Sequence, residues 1–155
     1  MIYNEENDEY KYTRIMDVII MNDDTVEFSK VGLLTLIPPI PKTTIKASGK
    51  TTINGKKVCV QGDEKKVEIT CQYTVPPFST PGSGTLKIMN LAPNQLTRKA
   101  TSGNKKIILK GKLFIALFEV DSPATLPSPP NTPDPVPMYV GTGKLIPGNK
   151  KIKAT

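Results

Sequence analysis

Apolar residues along this chain alternate with polar ones or gather in short runs, and nowhere recur at the 3.6-residue spacing of an amphipathic helix. Val67, Ile69, Cys71 and Tyr73 alternate with Glu68, Thr70 and Gln72, the period of a strand with one buried face. Residues 14–21 and 25–28 flank Asn22-Asp23-Asp24, whose short polar side chains favour a turn, and so predict a hairpin. Residues 31–37 predict a buried strand or short connector, stopped by Pro38-Pro39-Ile40-Pro41. From Thr43 onward short strands are broken by glycine. Thr51-Thr52-Ile53 runs into Asn54-Gly55, the strongest short hairpin signal, and residues 57–60 return before a turn at Gly62-Asp63-Glu64. Residues 85–89 follow Pro81-Gly82-Ser83-Gly84, read as a flexible break. Residues 106–110 and 112–120 form the longest apolar stretch, with Gly111 as a bulge or corner, and short strands follow at 139–140, 144–146 and 150–154.

The pattern is that of an all-β chain. An acidic N-terminal segment, residues 1–42, carries the hairpin as an extension packed on a main domain of residues 43–155. That domain includes a loop at 122–137 with seven prolines in sixteen residues, extended and packed over its surface. Weak internal repetition leaves room for a pseudo-threefold character. Ile45-Lys46-Ala47-Ser48, Arg98-Lys99-Ala100-Thr101 and Ile152-Lys153-Ala154-Thr155 recur, and Gly103-Asn104-Lys105-Lys106-Ile107 returns identically at 148–152.

Composition sharpens this. Fifteen prolines in 155 residues is about twice the usual share of about 5%, which disfavours long helices. Histidine is absent, which removes the commonest general base and metal ligand. Residues 1–30 hold eight acids and three bases, whereas residues 31–155 hold six acids and eighteen bases. In the second part only Arg98 is arginine, and lysine point charges suit solvated strand faces better than base readout. No stretch nears the roughly 18 apolar residues of a membrane-spanning helix, and the acidic start lacks a basic-then-apolar leader. Assembly in the cytoplasm is the expectation.

Motifs for chemistry fail on their spacing. Gly49-Lys50-Thr51-Thr52 mimics the end of a phosphate loop, but Thr44 stands where another glycine is needed. Gly82-Ser83-Gly84 and Gly141-Thr142-Gly143 lack the third glycine of a dinucleotide fingerprint and read as turns. Cys59 and Cys71, on adjacent predicted strands, are read as buried free thiols, with a disulfide between them geometrically possible. The carboxylates after residue 30 (Asp63, Glu64, Glu68, Glu119, Asp121 and Asp134) show no pairing that marks hydrolysis, so no catalytic residue is assigned. Phe114 and Phe118 lie in the most apolar run and are read as core, not as base-stacking platforms.

Residues 51–63, Thr-Thr-Ile-Asn-Gly-Lys-Lys-Val-Cys-Val-Gln-Gly-Asp, resemble the repeat of PAAR proteins, the spike tips of type VI secretion and related contractile injection systems. Asn54, Gly55, Lys56, Gly62 and Asp63 keep the type and spacing of that motif, while residues 57–60 replace its naming tetrapeptide. Cys71 falls near a cysteine of the family, and Pro130-Asn131-Thr132-Pro133 is similar to loops of PAAR-like relatives. The resemblance implies a compact cone of short strands. It implies a structural, non-enzymatic tip that caps a trimeric VgrG-type spike protein, carries effectors in some systems and touches the target membrane transiently. The alternative is a basic β-domain that binds nucleic acid or another polyanion; no specific nucleic acid partner is expected. Metal-binding members hold zinc near the apex with histidines and a cysteine. With no histidine in this chain that site is not carried over, and no cofactor is assigned. Elemental analysis of the purified protein is expected to find no stoichiometric zinc; one zinc per chain would reverse this assignment.

Overall fold

The computed structural model of the protein describes residues 2–4, by their backbone, and residues 16–155. Its strands are β1 (Ile2–Asn4), β2 (Asp17–Val18), β3 (Thr25–Lys30), β4 (Thr35–Ile37), β5 (Lys42–Thr44), β6 (Thr52–Ile53) and β7 (Lys56–Lys57). They continue as β8 (Glu68–Val75), β9 (Phe78–Asn90), β10 (Leu96–Ser102), β11 (Lys105–Ile108), β12 (Phe114–Ser122), β13 (Met138–Ile146) and β14 (Ile152–Ala154). Among the described residues the only helical pieces are two 3-10 turns, Asp63–Lys66 and Pro93–Gln95. The fold is all-β.

Seven strands form one antiparallel sheet in the order β4-β8-β9-β12-β13-β3-β5, curled into a half-barrel. Its concave face holds the larger of two hydrophobic cores. On β8 the sequence period of two survives intact: Cys71, Tyr73 and Val75 are buried, with Glu68, Thr70 and Gln72 exposed. Phe114 and Phe118 of β12 lie at the centre, each meeting a second aromatic ring edge-on. The Phe28–Phe114 centroids are 5.5 Å apart and those of Tyr73–Phe118 5.1 Å.

The two glycine tracts are not turns. Gly82 and Gly84 lie inside β9, and Gly141 and Gly143 inside β13, the two neighbours of β12. A Cβ on Gly84 would stand 2.4 Å from the Phe118 ring, and one on Gly143 2.3 Å from the Phe114 ring. These glycines are bare so that the rings can lie flat against the backbone. The expected break at 81–84 is for the same reason continuous strand.

The hairpin predicted across residues 14–28 does not form, though residues 14 and 15 lie outside the described residues. Its turn exists: Asp23 is left-handed at φ 65, and the Asp24 N–H donates to the Met21 carbonyl at 3.1 Å. The flanking segments, however, pair elsewhere. β2 joins β14, and β3 is an interior strand between β13 and β5. The cause is burial on both faces: Ile19 and Met21 enter the smaller core while Ile20 enters the larger, which an exposed hairpin could not satisfy. A division of the chain at 42/43 falls within β5, whose strand partner is β3.

The proline-rich loop is clamped onto the half-barrel by a buried carboxylate. Asp134 accepts hydrogen bonds from the Tyr73 hydroxyl at 2.8 Å, the Tyr139 hydroxyl at 2.6 Å and the Val136 N–H at 3.0 Å. Tyr73 in turn accepts from the Ala124 N–H at 3.0 Å, at the other end of the loop. Burial pulls the Asp134 pKa upward, but the bonds from Tyr139, Val136 and Tyr73 outweigh it and hold the carboxyl below the ordinary carboxylate range. Burial and the neighbouring carboxylate push the Tyr139 hydroxyl well up.

A folded-state pKa below the unfolded one means stability that is present above the unfolded value, about 3.9, and is lost as pH falls through the folded value. Asp134→Asn is therefore expected to cost about 1–3 kcal/mol at neutral pH. Its deficit against the native protein should shrink below about pH 4, where the native carboxylate also becomes neutral. Urea unfolding at neutral and acid pH checks this, and a deficit that stays constant with pH would remove the carboxylate from the account.

Candidate functional site

Three short segments, residues 19–21, 58–60 and 107–109, meet in a triangular layer beneath the half-barrel. Ile20 N–H donates to the Ile108 carbonyl, Ile108 N–H to the Cys59 carbonyl, and Cys59 N–H to the Ile20 carbonyl, each at 2.9 Å. The three bonds close a ring. Around it the end of each segment bridges the start of the next: Met21 to Val58, Val60 to Ile107, Leu109 to Ile19. A second set follows the same rotation, with Asn22 N–H to Lys57 O, Gln61 N–H to Lys106 O and Lys110 N–H to Val18 O at 2.8–2.9 Å. Residues 18–22, 57–61 and 106–110 are thus equivalent under a pseudo-threefold axis through the ring.

Side chains obey the same relation. Ile20, Cys59 and Ile108 enter the large core, whereas Ile19, Met21, Val58, Val60, Ile107 and Leu109 build the small one on the opposite face. All nine are at most 5% exposed, so the layer is sandwiched between two apolar masses. At about 1.5–3 kcal/mol for each large apolar side chain, this burial dominates its stability.

The corners repeat too. Each segment is followed one residue later by a left-handed residue: Asp23 (φ 65), Gly62 (φ 108) and Gly111 (φ 54). Two corners then carry a buried aspartate. Asp24 accepts from Met21 N–H at 2.8 Å and Gly148 N–H at 3.1 Å. Asp63, its equivalent, accepts from Val60 N–H at 2.8 Å and from both the N–H and the hydroxyl of Ser48, at 3.0 and 2.5 Å. At the third corner Lys112 replaces the aspartate. There Leu109 N–H donates to the Gln95 carbonyl at 2.8 Å and Gly111 N–H to Asp17 Oδ2 at 2.7 Å.

Each triangle segment is entered from a strand backed by an antiparallel arm. β6 backs β7, β10 backs β11, and β14 backs β2, with β1 on the far side of β14. The first segment residues donate outward to these arms: Ile19 N–H to Ile152 O, Val58 N–H to Thr51 O, and Ile107 N–H to Thr97 Oγ1, at 2.9–3.0 Å. The three units close over the small core. Thr51 N–H meets Ser102 Oγ at 2.9 Å, and Lys99 and Ala100 donate to the Thr155 carbonyl. Between the β6–β7 hairpin and residues 148–152 lies a cleft of about 580 Å³ with Met21 and Asp24 among its walls.

A sequence profile of contractile injection system spike tip proteins matches residues 15–155. The chain belongs to that family. No curated protein matches its sequence.

In this spike tip the five residues singled out from the sequence fall in two places. Asn54 (φ 52) and Gly55 (φ 80) make the β6–β7 turn, and Lys56 opens β7 with its side chain exposed. Gly62 and Asp63 are instead the corner residue and corner cap of the triangle. Asn54 and Lys56 line the cleft, and Gly62 and Asp63 do not. Lys57-Val58-Cys59-Val60, where the resemblance to the PAAR motif breaks, supplies one whole side of the triangle. Both cysteines are free and buried. Burial first, then the nearby Asp63, Asp24 and Asp23, push the Cys59 thiol far above its ordinary range.

The lysine-alanine recurrence does not mark the axis. Ala100 and Ala154 do share the small core, but Ala47 packs against the large one. The repeated pentapeptide also takes two shapes. Gly103 and Asn104 (φ 58 and 63) are the left-handed pair of the β10–β11 turn, whereas Asn149 Oδ1 caps the N–H groups of Lys151 and Ile152.

Asp63→Ala would leave the buried N–H of Val60 and the part-buried N–H of Ser48 without their acceptor, and is expected to cost about 2 kcal/mol or more. Asp121→Ala, which breaks only an exposed bond from Thr85, should stay within about 0.5 kcal/mol. Chemical denaturation of the two variants checks the contrast, and equal losses would contradict a corner role for Asp63.

Proposed function

We propose that this spike tip is the single cap of a trimeric, VgrG-type spike, with the end formed by its three arm-backed units seated on the trimer, and that it leads the spike through the target membrane as a mechanical part without catalysing a reaction. The observation that carries this reading is the pseudo-threefold layer. A lone chain that meets the end of a trimer must offer three comparable contacts, and three segments related by one rotation provide them. The mechanics agree: the layer has packed side chains on both faces, so load along its axis compresses close-packed matter.

The test is stoichiometry. Co-expressed with the trimeric spike protein of its own particle, the tip should co-purify as one chain per three spike subunits, measured by native mass spectrometry. A complex with three tips per trimer, or no complex, would contradict the cap.

A further inference from the structure

The three arm-backed units share a chemical bias that symmetry does not require. Residues 17–18, 50–57, 96–108 and 150–155 carry ten lysine and arginine side chains against one acid, Asp17, which stands at the position equivalent to Lys56 and Lys105. Lys56 and Lys105 occupy equivalent positions, as do Lys57 and Lys106, and Lys150 stands on the third unit; all five are exposed. On the half-barrel strands, by contrast, three of the four lysines are matched: Lys42 and Lys144 approach Glu27 at 3.5 and 3.6 Å, and Lys87 approaches Glu119 at 3.1 Å, with Lys30 the exception. Lys56, Lys57, Lys105, Lys106 and Lys150 have no such partner among the described residues. Asp17, the carboxylate on β2, is turned to the Val18 and Gly111 N–H groups.

We infer that this end of the molecule recognises an acidic, threefold-symmetric protein surface, so that the tip-facing end of the spike trimer carries a ring of carboxylates. The inference rests on the capping reading and adds the chemistry of the partner. Two features select that partner over other polyanions. Segments 50–57, 96–108 and 150–155 contain no aromatic side chain on which a nucleic acid base could stack. A lipid surface has no symmetry, so the distribution of these cations over three units would add nothing to the attraction of their charge. Unpaired lysines around an axis give a field that draws the tip onto the trimer and orients it, an effect that weakens with salt.

The experiment measures binding of the full chain to the purified trimeric spike protein of its particle, with phosphatidylglycerol vesicles and a DNA duplex as alternative probes. From about 50 to about 300 mM NaCl, affinity for the trimer should fall about tenfold or more. The combined variant Lys56→Glu, Lys105→Glu, Lys150→Glu should lose about a hundredfold, while Lys30→Glu, Lys65→Glu, Lys66→Glu, an equal change of charge on other surfaces, should lose less than about threefold. Matching thermal melts establish that both variants fold, and a glutamine version of the first serves if the glutamate version does not. Trimer binding that ignores both salt and the first variant overturns the acidic partner while leaving the cap intact. Absence of any trimer complex overturns the cap itself. Lysine-dependent binding to vesicles or DNA that exceeds binding to the trimer overturns the choice of partner.

Discussion

A ring of three backbone hydrogen bonds, joining Ile20, Cys59 and Ile108, is the constraint on which the molecule depends. A segment buried on both faces has nowhere to send its backbone N–H and C=O groups except to other protein. An ordinary sheet solves this with a ladder on each side. Here each middle residue turns both groups toward the axis and gives one to each of two neighbours, which balances only when three segments take part. Removing one segment would orphan groups on both others. The half-barrel above and the three units below are therefore tied to one another through a layer that cannot be partly made.

The all-β character, the alternation on β8, the Asn54-Gly55 turn and the packed proline loop could be read in the sequence because each depends on local chemistry. The triangle could not. Its segments, Val-Ile-Ile-Met-Asn, Lys-Val-Cys-Val-Gln and Lys-Ile-Ile-Leu-Lys, agree in apolarity and little else, and burial on both faces erases the alternation that identifies strands. From Ile20 to Cys59 is 39 residues and from Cys59 to Ile108 is 49, so no fixed period exposes them. A faint signal was present: each five-residue segment ends in a polar residue followed by Asp or Gly, the types that tolerate a left-handed corner. The hairpin at 14–28 failed on the same ground, since its turn is a corner of the triangle. The glycine tracts in β9 and β13 misled because what keeps them bare arrives from distant parts of the chain: the rings of Phe118 and Phe114 over Gly84 and Gly143, and the backbone of residues 122–124 and 30–31 against Gly82 and Gly141.

The two halves of the molecule handle charge and packing differently. The half-barrel closes on aromatic rings, a Tyr–Asp–Tyr clamp and locally matched ion pairs, so its interior is self-sufficient. The lower end concentrates cations on its arms and entering strands, where Lys56, Lys57, Lys105, Lys106 and Lys150 make no ion pair among the described residues.

The third of the three units has a further consequence for how the protein is made. The arms of the first two lie near their own strands in the chain, but β14 must travel back to β2, bringing Ile152 to Ile19. During synthesis on a ribosome, therefore, Ile19 waits without this cover until residue 152 has emerged, more than 130 residues later. A chain halted before β14 lacks the arm that covers Ile19, so its lower end stays open.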